Sequence, residues 1–207
     1  MEGIYSFEKC IQSLDVVNQT VLVKLYPKKW EKLFPDYPIL KEVLDGCRKD
    51  ADGKCQISRK EVSEEKDNAR KAILALLWGF PNGCRNSDEG HRNVVKSVLE
   101  IAVEDNDRNL TEPMFNAMMA PKGIGLSILS KMLYFFEYKV DGNRALILDS
   151  KVMKSLRTFS EFENVTCKRA GRFERYTSYV NRMTEIANKM SGVTPDQLEY
   201  FLFSCKQ

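Results

Sequence analysis

Paired glycines, lysines and aspartates gather in one stretch, PKGIGLSILSKMLYFFEYKVDGNRALILDSKVMKSLR (121–157). Gly123-Ile124-Gly125 stands at the mouth of an apolar helical pattern. Its glycines allow a tight hairpin with positive φ and bring backbone N–H groups within reach of an anion. A plain turn between two helices is the other reading of so short a motif. Asp149 lies just past an apolar run and directly before the helical pattern SKVMKSL. A carboxylate there can serve a reaction or simply cap the helix. Charge is concentrated in the same part of the chain. Residues 121–182 carry 12 basic and 6 acidic side chains, against 18 and 20 in residues 1–120 and 2 and 3 in residues 183–207. Lys168, Arg169, Arg172, Arg175 and Arg182 are interleaved with Phe173, Tyr176 and Tyr179. Such a face suits a polyanion, because phosphate neutralisation supplies most non-specific nucleic-acid affinity. Its alternative is a solvated helix face whose arginines pair with local acids such as Glu174.

Other chemistries are disfavoured by what is missing. The six cysteines (Cys10, Cys47, Cys55, Cys84, Cys167, Cys205) form no CxxC pair, and His91 is the single histidine. No zinc or iron–sulfur site is expected, nor any other cofactor, and the thiols are expected to be reduced. One histidine also disfavours a Ser–His or Cys–His nucleophile. His91 opens the helical run HRNVVKSVLEIAV, where a capping or surface role is expected. Residues 50–61, DADGKCQISRKE, imitate a calcium loop, but its fifth position is Lys54 and its sixth Cys55, where an oxygen ligand and glycine are needed. A charged surface loop is the plainer account.

The 207 residues, with 43% hydrophobic and a net charge of +3, allow one sizeable domain or two small ones. No apolar run approaches the ~20 residues of a membrane span. The N-terminus MEGIYSFEKC carries acids where a secretory leader needs bases, so a soluble cytoplasmic protein is expected. Apolar residues recur mostly at helical spacing. Helices are predicted over Val62–Phe80, over the Val94, Val95, Val98, Leu99, Ala102 stripe, over Glu112–Ala120 capped by Thr111, over Leu126–Tyr138, Phe173–Met190, and Pro195–Ser204 capped by Thr194. Val21–Leu25 and Ala145–Leu148 are the short strand candidates, and Cys47–Glu65 is expected to be a polar loop. Trp78, Phe80, Tyr134, Phe135 and Phe136 are expected to be mostly core.

The order Gly-Ile-Gly, apolar helix, short link, apolar residue, Asp resembles the helix-hairpin-helix DNA glycosylases, in particular the divergent prokaryotic 8-oxoguanine branch. The matching pieces are PKGIG (121–125), SKMLYFF (130–136), LDSKV (148–152), RYTSYVNRM (175–183) and TPDQLEYFLFS (194–204), so the resemblance covers about residues 115–204. It implies a mainly α fold, helix-hairpin-helix glycosylase-like, with two helical subdomains flanking a cleft. The boundary expected is 1–110 for an N-terminal helical region and 111–207 for the hairpin region. It implies DNA as partner, held through Lys122, Gly123, Gly125, Ser127, Lys151, Arg172 and Arg175, with the target nucleotide flipped into a pocket. No membrane contact is expected, and a monomer is. Asp149 matches the family aspartate, which stabilises the positive charge that builds on the sugar.

This chain departs from the family at the Schiff-base lysine. One branch would place it at Ser127 and the archaeal type nearer Ile124, and neither is lysine. Lys131 follows Ser127 by one helical turn on the same face, and Lys122 precedes the hairpin. An amine desolvated there becomes nucleophilic, but Lys131 could equally reach a phosphate or pair with Asp149. The expected activity is monofunctional removal of a damaged base, 8-oxoguanine favoured, by hydrolysis of the N-glycosidic bond with Asp149 and Lys131 as catalytic residues. The alternatives are a glycosylase acting on modified phage bases, a silent nucleic-acid-binding module, or an interaction protein with no nucleic-acid role.

Overall fold

The computed structural model describes residues 3–23, 30–81, 87–103, 108–166 and 171–205. In chain order its elements are α1 (Glu8–Gln12), β1 (Thr20–Val23), α2 (Pro38–Gly46), β2 (Arg48–Lys49), β3 (Cys55–Ser58), α3 (Arg59–Glu64), α4 (Asn68–Gly79), α5 (Asp88–Val103), α6 (Glu112–Met119), α7 (Leu126–Phe135), β4 (Lys139–Val140), β5 (Asn143–Arg144), α8 (Ser150–Ser155), α9 (Arg172–Asn188) and α10 (Pro195–Ser204). The fold is mainly helical. Among the described residues no helix is long and apolar enough to cross a membrane.

Two helices buried all round organise the molecule. In α4 every residue from Ala72 to Trp78 is buried, and in α7 every residue from Ile128 to Phe135. Helices apolar on all faces must sit inside a core. α4 packs against both α5 and α7, and α10 against α1, α8 and α9. The apolar residues of the first hundred positions and of the rest form one continuous cluster. Burying an average large side chain contributes roughly 1.5–3 kcal/mol, so this cluster is what holds the two central helices in place.

Local signals explain the helix starts. Thr111 caps α6, with its oxygen accepting from Met114 N–H and Pro113 in the first turn. Thr194 and Gln197 form a reciprocal capping box on α10. α9 begins at Arg172 and α7 ends at Phe135, each within three residues of the predicted limits.

Several expectations are corrected. The run Val62–Phe80 is two helices, because Glu65 accepts from Lys66 and Asp67 N–H and Asp67 then caps α4. Cys47–Glu65 is not a loop: it holds β2, β3 and α3, and buries Cys55, Ile57 and Val62. β3 is the centre of a three-stranded antiparallel sheet, pairing with β1 through Val21↔Ile57 and with β2 through Lys49↔Cys55. The Asp50–Lys54 segment is its turn, in which Asp50 accepts from Asp52 and Lys54 N–H and Lys54 pairs with Asp52.

His91 is buried rather than on the surface; its Nδ1 lies 2.9 Å from Ser87 O and its ring meets Trp30 edge-on. Of the strand candidates, Val21–Leu25 is in part β1, while residues 24–29 lie outside the described set. Ala145–Leu148 is buried and extended but joins no sheet. Ala145 N–H donates to Tyr138 O, and from Leu146 to Leu148 the backbone bonds to side chains instead.

Candidate active site

The hairpin lies between α6 and α7. Gly123 has φ +99°, a conformation that disfavours any side chain. Ile124 N–H closes the turn on Pro121 O, and the Ile124 side chain is buried as its anchor. Gly125 is the N-cap of α7 and supplies no side-chain acceptor to its first turn. Lys122 and both glycines are exposed. An exposed helix start of this kind offers amides and a positive dipole end to an anion.

Asp149 is delivered by the extended segment before it. Tyr176 and Tyr179, one turn apart on α9, donate their hydroxyls to Leu146 O and Ile147 O at 2.8 Å each. Ser130 of α7 accepts from Leu148 N–H at 3.0 Å. These bonds satisfy buried backbone groups that a sheet would otherwise pair, and they tie residues 146–148 to α7 and α9. Burial raises the pKa of both tyrosines well above the usual phenol value, so they remain protonated donors.

Asp149 then performs both roles open to it. Its Oδ1 accepts from Lys151 N–H at 2.9 Å and Val152 N–H at 3.1 Å, capping α8. Its Oδ2 faces Lys131 Nζ at 3.8 Å. The Lys131 amine also donates to Ser127 O and Ser127 Oγ, both at 3.1 Å, and sits 5.3 Å above the Phe80 ring. Lys131 is only 3% exposed. Burial lowers its pKa from the ordinary lysine value; Asp149 and Glu199 oppose that shift and Arg59 adds to it. Gly79, the last residue of α4, makes room for the lysine stem, because a Cβ there would fall 2.4 Å from Lys131 Cδ.

A second charged pair lies next to this one. Arg59 of α3 reaches Glu199 of α10 at 2.9 Å, with both side chains at or below 2% exposure. The guanidinium lies over the rings of Trp78 and Tyr134 and bonds Tyr134 Oη at 3.4 Å. Burial pushes Glu199 up to about 7 against the pull of Arg59. Burial opposes the Arg59 charge as well, but Glu199 and Tyr134 outweigh it and the net shift is upward.

Gly125, Arg172 and Arg175 are brought together in a cleft of about 330 Å³, completed by Leu126, Leu148 and Met153. Buried Lys131 and half-buried Ser127 and Asp149 form the neighbouring cluster and do not line that cleft. Lys122 stands on the exposed turn. Lys151 lies 4.5 Å above the Phe203 ring, and its backbone N–H donates to Asp149. Glu174 does not neutralise the arginines; it accepts from Gly171 N–H at the start of α9. Arg182 is committed to Glu161 O and Glu185, and Lys168 and Arg169 lie outside the described residues. The aromatic interleaving of α9 belongs to the core, since Tyr176 and Tyr179 are fully buried.

Arg59, Glu199, Gly79 and Ser130 were not anticipated. The i, i+3 spacing of Tyr176 and Tyr179 was a usable signal for a shared face. Arg59 and Glu199, 140 positions apart, left none.

A mainly helical chain that buries its charged cluster between central helices is consistent with a helical glycosylase fold. Residues 15–203 match the family described as "putative 8-oxoguanine DNA glycosylase OGG-like protein", and the chain belongs to that family. No curated protein and no solved structure matches it.

Proposed function

We propose that the protein is a DNA glycosylase of the helix-hairpin-helix type that excises a damaged or modified purine, 8-oxoguanine favoured. One observation carries the reading: Asp149 is locked by one oxygen into a helix start, and its other oxygen faces a buried amine at 3.8 Å. In this reading residues 1–110 and 111–207 form the two walls of a base pocket. DNA phosphates lie on the Gly123–Gly125 hairpin with Lys122 and Ser127, and beside Arg172, Arg175 and Lys151. The target nucleotide is flipped toward Phe80 and Lys131.

Cleavage of the N-glycosidic bond builds positive charge at C1′ of the sugar. Asp149 stabilises that charge and accepts a proton from the attacking water, while the base leaves with the bond's electron pair and takes up a proton. Lys131, in its charged form, is the counter-ion that faces Asp149. In its neutral form it is a second nucleophile, whose attack at C1′ would give a Schiff base after base loss.

The test is base release from duplex DNA carrying 8-oxoguanine, beside a panel of modified bases, with and without alkali. Breaks only after alkali mean hydrolysis, and breaks without it, trapped by borohydride, mean the lysine route. Asp149→Asn is expected to slow release by roughly a hundredfold or more while leaving DNA binding nearly intact. Release by the variant at the wild-type rate would defeat the assignment. The deep burial of Lys131 favours one competing reading, a binding module without catalysis, and for it no substrate in the panel is cleaved while salt-sensitive DNA binding persists.

A further inference from the structure

We propose that Ser130, Tyr179 and Tyr176 are positioning residues for Asp149, holding its carboxylate against the buried amine through the backbone that precedes it. Asp149 is the catalytic carboxylate of the glycosylase reading, on which this role rests.

Leu146, Ile147 and Leu148 are each at or below 3% exposure. Their backbone groups are cut off from water and must find partners inside the protein. A sheet would supply them from a neighbouring strand, but here they come from the side chains of two helices. Tyr176 Oη donates to Leu146 O, Tyr179 Oη donates to Ile147 O, and Ser130 Oγ accepts from Leu148 N–H. Three consecutive residues are thereby pinned from α7 and α9, and the fourth is Asp149. Ser130, Tyr176 and Tyr179 are all fully buried, where a hydrogen bond is stronger than it is in water. Phenylalanine would bury almost the same apolar surface as either tyrosine, so packing alone does not account for the two hydroxyls.

The two oxygens of Asp149 answer to different elements. Oδ1 is fixed by Lys151 and Val152 N–H and so belongs to the start of α8. Oδ2 faces Lys131, which belongs to α7. The separation of carboxylate and amine is therefore set by how α7 holds the segment before Asp149. Ser130 and Lys131 are neighbours on that helix, and their targets, Leu148 and Asp149, are neighbours in the segment. Matching neighbour to neighbour registers the carboxylate against the amine. Tyr179 and Tyr176 apply the same restraint from α9, two and three residues before Asp149. Misplacing a reacting group by ~1 Å can cost about a hundredfold in rate. A tether on the adjacent residue should therefore matter more than one three residues away.

The experiment measures single-turnover base release, with enzyme in excess over duplex DNA carrying the panel base that the wild type removes fastest. The temperature is one at which urea titration shows every variant folded, so the rate constant is read apart from stability and from DNA affinity. Ser130→Ala is expected to lower the rate constant about tenfold or more, Tyr179→Phe by roughly threefold to tenfold, and Tyr176→Phe by less, with DNA affinity held within about twofold. Ser97→Ala removes a buried hydroxyl that bonds Asn93 O within α5 and is expected to leave the rate unchanged. In the Asp149→Asn background the three changes are expected to do nothing further, because they act through that carboxylate. Losses from independent causes would multiply instead. Multiplying losses, or wild-type rates in both Ser130→Ala and Tyr179→Phe, would overturn the role.

Amide hydrogen exchange reads the tether without any reaction. Residues 148–152 are expected to exchange about tenfold or more faster in Ser130→Ala and Tyr179→Phe, with the amides of α5 unchanged. Unchanged protection at 148–152 would overturn the tether whatever the enzyme does. Lost protection there, in a protein whose wild type releases no base, would defeat the glycosylase reading and leave the tether standing.

Discussion

Two buried pairs of opposite charge lie close together, and they are built differently. Arg59 and Glu199 meet at 2.9 Å, sealed from solvent, with aromatic rings on the guanidinium. Lys131 and Asp149 stand 3.8 Å apart, and each is partly held by something else: the amine by Ser127, the carboxylate by the start of α8. Asp149 also keeps some exposure, 14% of its side chain. A short, dry pair, stacked on aromatic rings, fixes the relative positions of α3 and α10, although Arg59 Nε is left without a hydrogen-bond partner. A longer pair with independent anchors can be opened without unfolding what holds it. That difference, rather than burial as such, is what sets the proposed catalytic pair apart from a strut.

Breaking the strut should have the largest effect. Glu199→Gln or Arg59→Met leaves a buried partner unpaired and is expected to lower stability by about 3–5 kcal/mol in urea unfolding. The combined change Arg59→Met/Glu199→Leu should recover most of that loss, since two apolar side chains need no ion partner. Singles that cost less than about 1 kcal/mol would mean the pair is no strut, and the comparison would collapse. Asp149→Asn acts on the other pair. Asparagine caps a helix about as well as aspartate, so stability should change by well under ~1 kcal/mol while base release falls roughly a hundredfold. Equal losses of stability from Asp149→Asn and Glu199→Gln would make both pairs structural.

How much of this was legible in the sequence depends on how local each cause is. Thr194-Pro195 and Thr111 begin helices by contacts within four residues, and α6 and α10 start where those signals place them. The turn at Gly123-Ile124-Gly125 and the helix cap at Asp149 could be found because their local geometry is set by neighbours in the chain. Ala145–Leu148 could not be told from a strand, since its apolar run is compatible with any buried extended segment. What decides against a sheet is Tyr176, Tyr179 and Ser130 taking its backbone groups from elsewhere. The cap at Asp67 that splits the predicted Val62–Phe80 helix is short-range, but it competes with a continuous helical pattern that hides it.

Gly79 tests the proposed catalytic pair more gently. A methyl group at this position would collide with the Lys131 stem, so Gly79→Ala is expected to cost about 1–3 kcal/mol and to move the amine away from Asp149. The readout that distinguishes this from simple overpacking is borohydride trapping set against hydrolysis. Trapping should fall more than alkali-revealed base release, because only the former needs the amine in place. An equal fall in both would leave Gly79 a packing residue.

The smallest expected effects are on pH, and the two pairs should differ in sign. Glu199 is pushed up from 4.5 to about 7, so between those values the folded chain holds a proton that the unfolded chain has released. Its contribution is complete below 4.5 and lost as pH rises through about 7. Lys131 is shifted down from 10.5. Between its lowered value and 10.5 the unfolded chain binds the extra proton, so stability from this group rises with pH and is lost on acidification through the folded value. Urea stability of the wild type relative to Glu199→Gln should therefore fall from pH 4.5 to 7. Relative to Lys131→Met it should rise as pH approaches 10.5. A flat difference for Lys131→Met would mean that its amine is as well solvated as a surface lysine, and the case for a nucleophile beside Asp149 would go with it.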